Sequence, residues 1–139
     1  MILMTSLLFT DVRIAALARG CGRITNVSLR ACERLTDAGI VALSEGFPST
    51  KHIYLEYIKT LRDAAIIALA DDWEHIDLEG VDNLTDTALL ALAKNCPKLV
   101  EIHCDVGIWE PSKFTDTAVV ASAHGCPELT LLDLQWVCT

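Results

Sequence analysis

Apolar and polar positions follow two patterns that alternate along the chain. In the first, every second residue is apolar over a few positions, which is typical of a short strand that buries alternate side chains. In the second, apolar residues recur three or four positions apart, which is typical of a helix with one buried face. The strand pattern occurs at Val27 and Leu29, Ile53 and Leu55, Ile76 and Leu78, Ile102 and Cys104, and Leu132 and Leu134.

A recurring phrase precedes each helical pattern. Leu35-Thr36-Asp37 returns with small changes at 61–63, 84–86 and 114–116, and an earlier copy stands at 9–11, so the copies start 26, 26, 23 and 30 residues apart. A Thr hydroxyl can accept a hydrogen bond from a free N–H group at a helix start, where the helix dipole also favours an Asp carboxylate. We therefore expect a short helix to begin at each copy, with stop signals at Gly20, Gly46, Asn95 and Gly125.

These units depend on one another, because one strand and one short helix cannot bury their own apolar faces. We expect an α/β solenoid in which a parallel sheet lines the concave side and short helices form the convex side. The chain would be a single domain over 1–139 with about five repeats, starting near 9, 35, 61, 84 and 114. The helices would bury Ile14, Leu17, Ile40, Leu43, Ile66, Leu69, Leu89, Leu92 and Val119, with Ala121 and Ala123 behind it.

The repeats share the template L-x-x-L-x-L-x-x-C-x-x-L-T-D-x-x-L-x-x-L-A-x-x-C-P, nearly complete over 24–48 and again over 84–99. This template resembles the cysteine-containing subfamily of leucine-rich repeats, best known from F-box/leucine-rich-repeat proteins, the substrate receptors of cullin-type ubiquitin ligases. The resemblance implies a right-handed horseshoe. It also implies a non-catalytic protein-protein interaction module that serves as an adaptor or recognises a substrate.

Two departures from that family leave a second hypothesis open. No F-box precedes the repeats, and neither end carries the polar capping segment that solenoids need for solubility. The alternative is a structural subunit of a large multiprotein assembly, in which neighbouring subunits cover the ends of the solenoid.

Charge and hydropathy narrow the class of partner. Acidic residues outnumber basic ones 19 to 11 and the net charge is −8, so the chain should repel phosphate backbones and we expect no nucleic-acid partner. The amino-terminal apolar run ends at Thr10 without a basic leader, and no later run approaches the ~18 residues of a membrane span. We expect an intracellular, cytoplasmic protein with no membrane span.

The six cysteines are predicted to be structural thiols. They form no CxxC pair, and a chain without a secretory leader gives little reason to expect disulfides. Cys21, Cys96 and Cys126 stand at the helix-end cysteine of the template, and Cys32 stands at the cysteine after the strand. Stacking would place equivalent cysteines on successive rungs rather than in a tetrahedral metal cluster.

The binding surface is expected on the concave side, where the residues that flank the buried strand positions point. Neighbouring strands lie about 4.8 Å apart, so Glu56, Glu79 and Asp105 would form a ladder of like charges, which is destabilising by itself. The ladder suggests a basic segment of a partner protein, although a merely solvated acidic face fits the same pattern. The candidate contact residues are His52, Tyr54, Glu56, His75, Asp77, Glu79, Glu101, His103, Asp105 and Asp133.

Three histidines on this face raise the question of metal binding. With Asp77 and Glu101 they have the ligand types of a borderline metal, but no motif spacing supports a site and solvent-facing imidazoles need no ligand. We expect no metal and no cofactor, and we favour a pH-sensitive contact in which imidazoles beside carboxylates gain charge near neutral pH. Catalytic motifs are absent from the sequence, which predicts that the protein is not an enzyme.

The longest repeat carries about four extra residues within 106–113. Such an insertion should form a surface loop, and Trp109 in it is the best contact residue outside the concave face. The alternative is that Trp109 folds back over an apolar edge. Trp73 aligns with Leu99 and is instead predicted to fill the core.

Overall fold

A computed structural model describes residues 2–3, 9–69, 73–105 and 114–134. Strands and helices alternate along these ranges, and the strands form one six-stranded parallel sheet in chain order. The strands are β1 Ile2–Leu3, β2 Asn26–Ser28, β3 His52–Tyr54, β4 His75–Asp77, β5 Glu101–His103 and β6 Leu131–Asp133. The helices are α1 Asp11–Ala18, α2 Asp37–Gly46, α3 Asp63–Ile67, α4 Asp86–Asn95 and α5 Asp116–Gly125.

The strand register follows the repeat in the sequence. Val27 pairs with Ile53, Ile53 with Ile76, and Ile76 with Ile102, so equivalent residues stand side by side across the sheet. The α/β class and the parallel sheet expected from the sequence are therefore confirmed. The pairing of β1 with β2 was not expected, since the predicted strands began at Val27. The horseshoe curvature and the division into five repeats stay predictions.

The core lies between the sheet and the helices. The central residues of β2 to β5 are buried, as are Leu29, Leu55, Leu78 and Cys104, the residues just after these strands. Cys32, Ile58 and Val81 follow three positions later and are buried too, while Val137 lies outside the described residues. Trp73 is only 2 % exposed, which confirms its place in the core.

In α5 the burial differs from the expectation. Val119 is half-buried, Ala121 is half-buried and Ala123 is exposed, whereas Ser122 is fully buried. Ser122 stands seven residues after the Thr of its unit, the position that Leu92 holds in α4. The Ser122 hydroxyl donates to the Ala118 carbonyl at 3.0 Å, which satisfies its polar group inside the core.

The helices begin where the Thr-Asp phrase predicts. Thr36 Oγ1 accepts a hydrogen bond from the backbone N–H of Ala38, and Thr85 Oγ1 accepts one from Thr87, both at 3.3 Å. α2, α4 and α5 end at Gly46, Asn95 and Gly125, as the stop signals indicated. Among the described helices the longest have 10 residues, and none is long and apolar enough to cross a membrane.

Four of the phrase aspartates have a role that was not expected from the sequence. The Asp63 carboxylate accepts hydrogen bonds from the backbone N–H and the hydroxyl of Thr85, at 2.8 and 2.6 Å. Asp11 binds Thr36 in the same way, Asp86 binds Thr115, and Asp37 accepts from the backbone N–H of Arg62. These aspartates therefore join the start of each helix to the start of the next.

A tight turn follows β2, β3 and β4, and its backbone holds the next unit. Ala31, Tyr57 and Gly80 adopt positive φ angles of 56°, 62° and 68° at equivalent positions. Their N–H groups donate to the carbonyls of Glu56, Glu79 and Asp105 at 2.7 to 2.8 Å. A Cβ atom at Gly80 would lie 2.4 Å from Tyr57 Cδ1, so glycine is required there for both backbone and space.

Leu55→Ala and Leu78→Ala test the strand register. Both side chains are buried, with exposures of 0 and 1 %, so each truncation should lower the free energy of unfolding by about 2–5 kcal/mol. Urea or thermal melts measure the loss. Leu90→Ala is the control, since Leu90 is 41 % exposed on α4 and its truncation should change stability little. Unchanged melts for both core variants would mean that the register is wrong by one residue.

Asp63→Ala tests the connection between units. The change removes two hydrogen bonds to a carboxylate and should destabilise the protein by about 1–3 kcal/mol. Asp116→Ala is the matched control, because Asp116 also begins a helix but accepts no bond from a following unit within residues 114–134. Both changes remove an acidic group from a helix start, so the difference between their melts reports the connection itself. Equal losses would contradict it.

Candidate functional site

The first and third residues of β3, β4 and β5 lie on the side of the sheet opposite the core. We call this surface the open sheet face. Each of these strands buries its central residue and leaves the two flanking residues half-buried, as the period-two rule predicts. The residues of the face are His52, Tyr54, His75, Asp77, Glu101 and His103, with Asp133 continuing it on β6.

Aromatic rings from three strands form a continuous cluster on this face. The His75 ring lies between those of His52 and His103, with centroid distances of 5.8 and 5.3 Å. The Tyr54 ring is also close, with its centroid 5.1 Å from that of His75. The structure therefore brings together the three histidines that the sequence placed on one face.

Glu101 links two of these histidines. Its Oε2 atom lies 2.8 Å from His75 Nδ1 and 3.6 Å from His103 Nε2. The other ring nitrogen of His103, Nδ1, lies 3.9 Å from Asp133 Oδ2. His75 and Glu101 are direct partners in the register of β4 and β5, while Glu101 and His103 are two residues apart on one strand. The cluster therefore results from the pairing of neighbouring strands and from the alternation of side chains along each strand.

The pKa of His75 shifts in the direction opposite to that expected from the sequence. Burial lowers the pKa of its imidazole below the ordinary value, and the charges of nearby His103 and His52 act in the same direction. Glu101 and Asp77 oppose this effect but do not overcome it. Desolvation therefore favours the neutral form of His75 more strongly than the adjacent carboxylates favour its charged form, while the pH-sensitive contact stays a prediction.

Glu56 departs from the expected exposed acidic ladder. It is only 8 % exposed, and its Oε2 atom is buried without a hydrogen-bond partner. Its Oε1 atom lies 3.8 Å from Arg30 Nη1. Desolvation raises the pKa of Glu56, and a backbone hydrogen bond and the distant Arg30 cation oppose this effect without overcoming it.

Glu79 is held by a residue that the sequence did not single out. The Tyr57 hydroxyl donates to Glu79 Oε1, and this hydrogen bond raises the pKa of Tyr57. The Arg30 guanidinium lies over the Tyr57 ring, 5.0 Å from its centroid. Asp77 accepts a hydrogen bond from the backbone N–H of Glu79 at 3.0 Å. The expected ladder of like charges is thus partly an internal network, while Glu79 and Asp105 remain half-buried at its edge.

A separate ion pair lies beside the cluster. Lys51 Nζ binds Glu74 Oε1, and Glu74 Oε2 lies 4.0 Å from His52 Nε2. Lys51 lowers the pKa of Glu74 through this contact. The basic charge on this side of the sheet is therefore already paired, and the acidic side chains nearer β5 and β6 dominate the rest of the face.

The cysteines of the described residues form no disulfide bonds. Cys32, Cys96, Cys104 and Cys126 are buried, and Cys21 is half-buried. The Cys126 thiol contacts the Cys96 carbonyl at 3.4 Å, which links the ends of two successive helices. Burial raises the pKa of Cys104, which lies on the core side of the sheet. Trp109 and Cys138 lie outside the described residues.

The comparisons with known proteins address the fold. No protein-family model matches the sequence, and comparison with curated proteins finds no significant match. The structure is similar to a chain from the crystal structure of the Rad7 and Elc1 complex in yeast, with a TM-score of 0.74 and 24 % sequence identity. The similarity covers 91 % of this chain and 33 % of that chain, so this chain spans about a third of the length of its structural neighbour. The likeness shows a repeat-like α/β fold.

Glu56→Gln tests the buried carboxylate. The raised pKa means that Glu56 contributes full stability below the ordinary pKa of a Glu and loses it as pH rises through the folded-state value. The variant should therefore be more stable than the parent near neutral pH, by about 1 kcal/mol, and the advantage should vanish in acid. Urea melts across this pH range measure the difference. Glu45→Gln, on the exposed surface of α2, removes the same charge without relieving a buried carboxylate. A constant advantage at every pH would contradict the assignment.

Proposed function

We propose that the protein is a non-catalytic protein-binding module whose open sheet face holds a basic, Lys- or Arg-rich segment of another protein. The observation that carries the proposal is the acidic part of this face. Asp77, Glu79, Asp105 and Asp133 place four half-buried acidic side chains on three successive units.

The geometry of the face suits an extended or helical segment better than a small substrate. Its side chains follow the strand order across β3 to β6, so they form a row rather than a cleft. Two cavities of the described residues lie elsewhere, one on the helix side beside Ala18 and Ala42 and one along residues 20–24 in the loop before β2. The acidic and imidazole groups thus line a surface that a chain can cross.

The structural neighbour supports a protein as the partner, because it comes from a complex of two proteins. The repeat template supports the narrower role of an adaptor or substrate-recognition part, as in the repeat region of F-box receptors of ubiquitin ligases. In that role, the acidic face would select basic segments of the protein to be recognised.

The triple variant Asp77→Asn, Glu79→Gln and Asp105→Asn tests this function. Its probe is a fluorescent Lys/Arg-rich peptide, titrated at low and at physiological salt. Three exposed ion pairs are worth about 1.5 kcal/mol together, so the variant should bind about tenfold more weakly at low salt. Its affinity should also depend less on salt, because screening acts on the charges that were removed.

The control variant neutralises Glu33, Glu45 and Glu128, which are exposed away from the sheet. It has the same net charge as the test variant and should bind the peptide as the parent does. Equal weakening in both triple variants would mean that the peptide responds to the overall charge, and it would overturn the proposal. Circular dichroism of each variant verifies that the fold is intact.

A further inference from the structure

Three potential metal ligands lie close together on the open sheet face. They are one ring nitrogen each from His75 and His103 and one carboxylate oxygen from Glu101. One potential ligand atom from each residue lies within 4.8 Å of the other two, although no metal-binding motif appears in the sequence. We propose that these three residues form a binding site for a divalent transition metal of borderline character, with Zn²⁺ as the representative ion. This proposal does not rest on the basic segment proposed above.

The spacing of the ligand atoms is close to what a tetrahedral ion requires. Zn–N and Zn–O bonds of roughly 2.0–2.2 Å place neighbouring ligand atoms about 3.4 Å apart. Glu101 Oε2 lies 2.8 Å from His75 Nδ1 and 3.6 Å from His103 Nε2, values on either side of that spacing. The strand pairing fixes the backbones from which the three half-buried side chains project.

The orientation of the histidines favours ligation. His75 directs Nδ1 toward Glu101 Oε2, at 2.8 Å. His103 directs Nε2 toward Glu101, while its Nδ1 faces the Asp133 carboxylate at 3.9 Å. A carboxylate behind a ligating histidine is the usual outer-shell arrangement, because it orients the ring and strengthens it as a donor.

The surrounding charge favours a cation. Asp77 and Asp133 flank the three ligands on the third positions of their strands, and Cys104 lies on the opposite, core side of the sheet. Two imidazoles and one carboxylate supply three ligands and leave a fourth position toward solvent, the arrangement of an open site rather than a closed structural one. Water or a side chain from a partner would complete it.

Titration calorimetry with Zn²⁺ on the tag-free chain provides the first test. The variant with Cys21→Ser and Cys138→Ser serves as the parent, so that these two thiols cannot supply ligands. We expect one ion to bind per chain. Asp133→Asn should weaken binding about 10–100-fold, the range for outer-shell partners, and His75→Gln, Glu101→Gln or His103→Gln should weaken it more. His124→Gln is the matched control, since His124 lies exposed on α5.

Nuclear magnetic resonance of the histidine side chains provides the second test, and it requires no ligand variant. Zn²⁺ should change the ring-nitrogen shifts so that ligation is seen at Nδ1 of His75 and at Nε2 of His103, while His124 stays unchanged. The site is contradicted if Zn²⁺ ligates other histidines or other ring nitrogens. It is equally contradicted if folded His75→Gln and His103→Gln bind Zn²⁺ as tightly as the parent.

Discussion

The whole structure depends on the fact that one unit cannot bury its own apolar side chains. Each strand from β2 to β6 has three residues, and within β2 to β5 only the central one is buried. Its backbone groups and its buried side chain find their partners in the units before and after it. The helix ends depend on neighbouring units in the same way, since Thr85 donates hydrogen bonds to Asp63 and the Cys126 thiol donates one to the Cys96 carbonyl. Stability in such an array comes from nearest neighbours.

That same constraint creates the open sheet face. When the central residue of a strand is committed to the core, alternation sends its two neighbours to the other side. Exact register between units then turns a repeat in the sequence into a row of side chains in space. His75 meets Glu101 because both occupy the first position of their strands, and not because they are close in the sequence. A polar cluster can therefore arise on this fold without any local motif.

Most of the fold can be predicted from the sequence, because buried residues recur at the same spacing in every unit. It names the strands, the helix starts and the residues of the open face, since these follow from alternation and from the Thr-Asp phrase. The partners of individual polar groups depend instead on turns and rotamers. Glu56 is buried next to Tyr57, whose positive φ angle no apolar pattern marks. The use of Asp63 as an acceptor between units could have been found, because Thr and Asp recur together at the same position of successive repeats.

Electrostatics connects the two proposed uses of the open sheet face. A bound divalent cation would place positive charge beside Asp77 and Asp133, within the roughly 8 Å over which charges act at physiological ionic strength. A purely basic segment would then bind less tightly, whereas a segment that offers a histidine or a carboxylate to the open fourth position would bind more tightly. Thermodynamic linkage is reciprocal. If the metal changes the affinity for a segment by some factor, the segment must change the affinity for the metal by the same factor. The face would thereby distinguish partners of similar charge by their ligand chemistry.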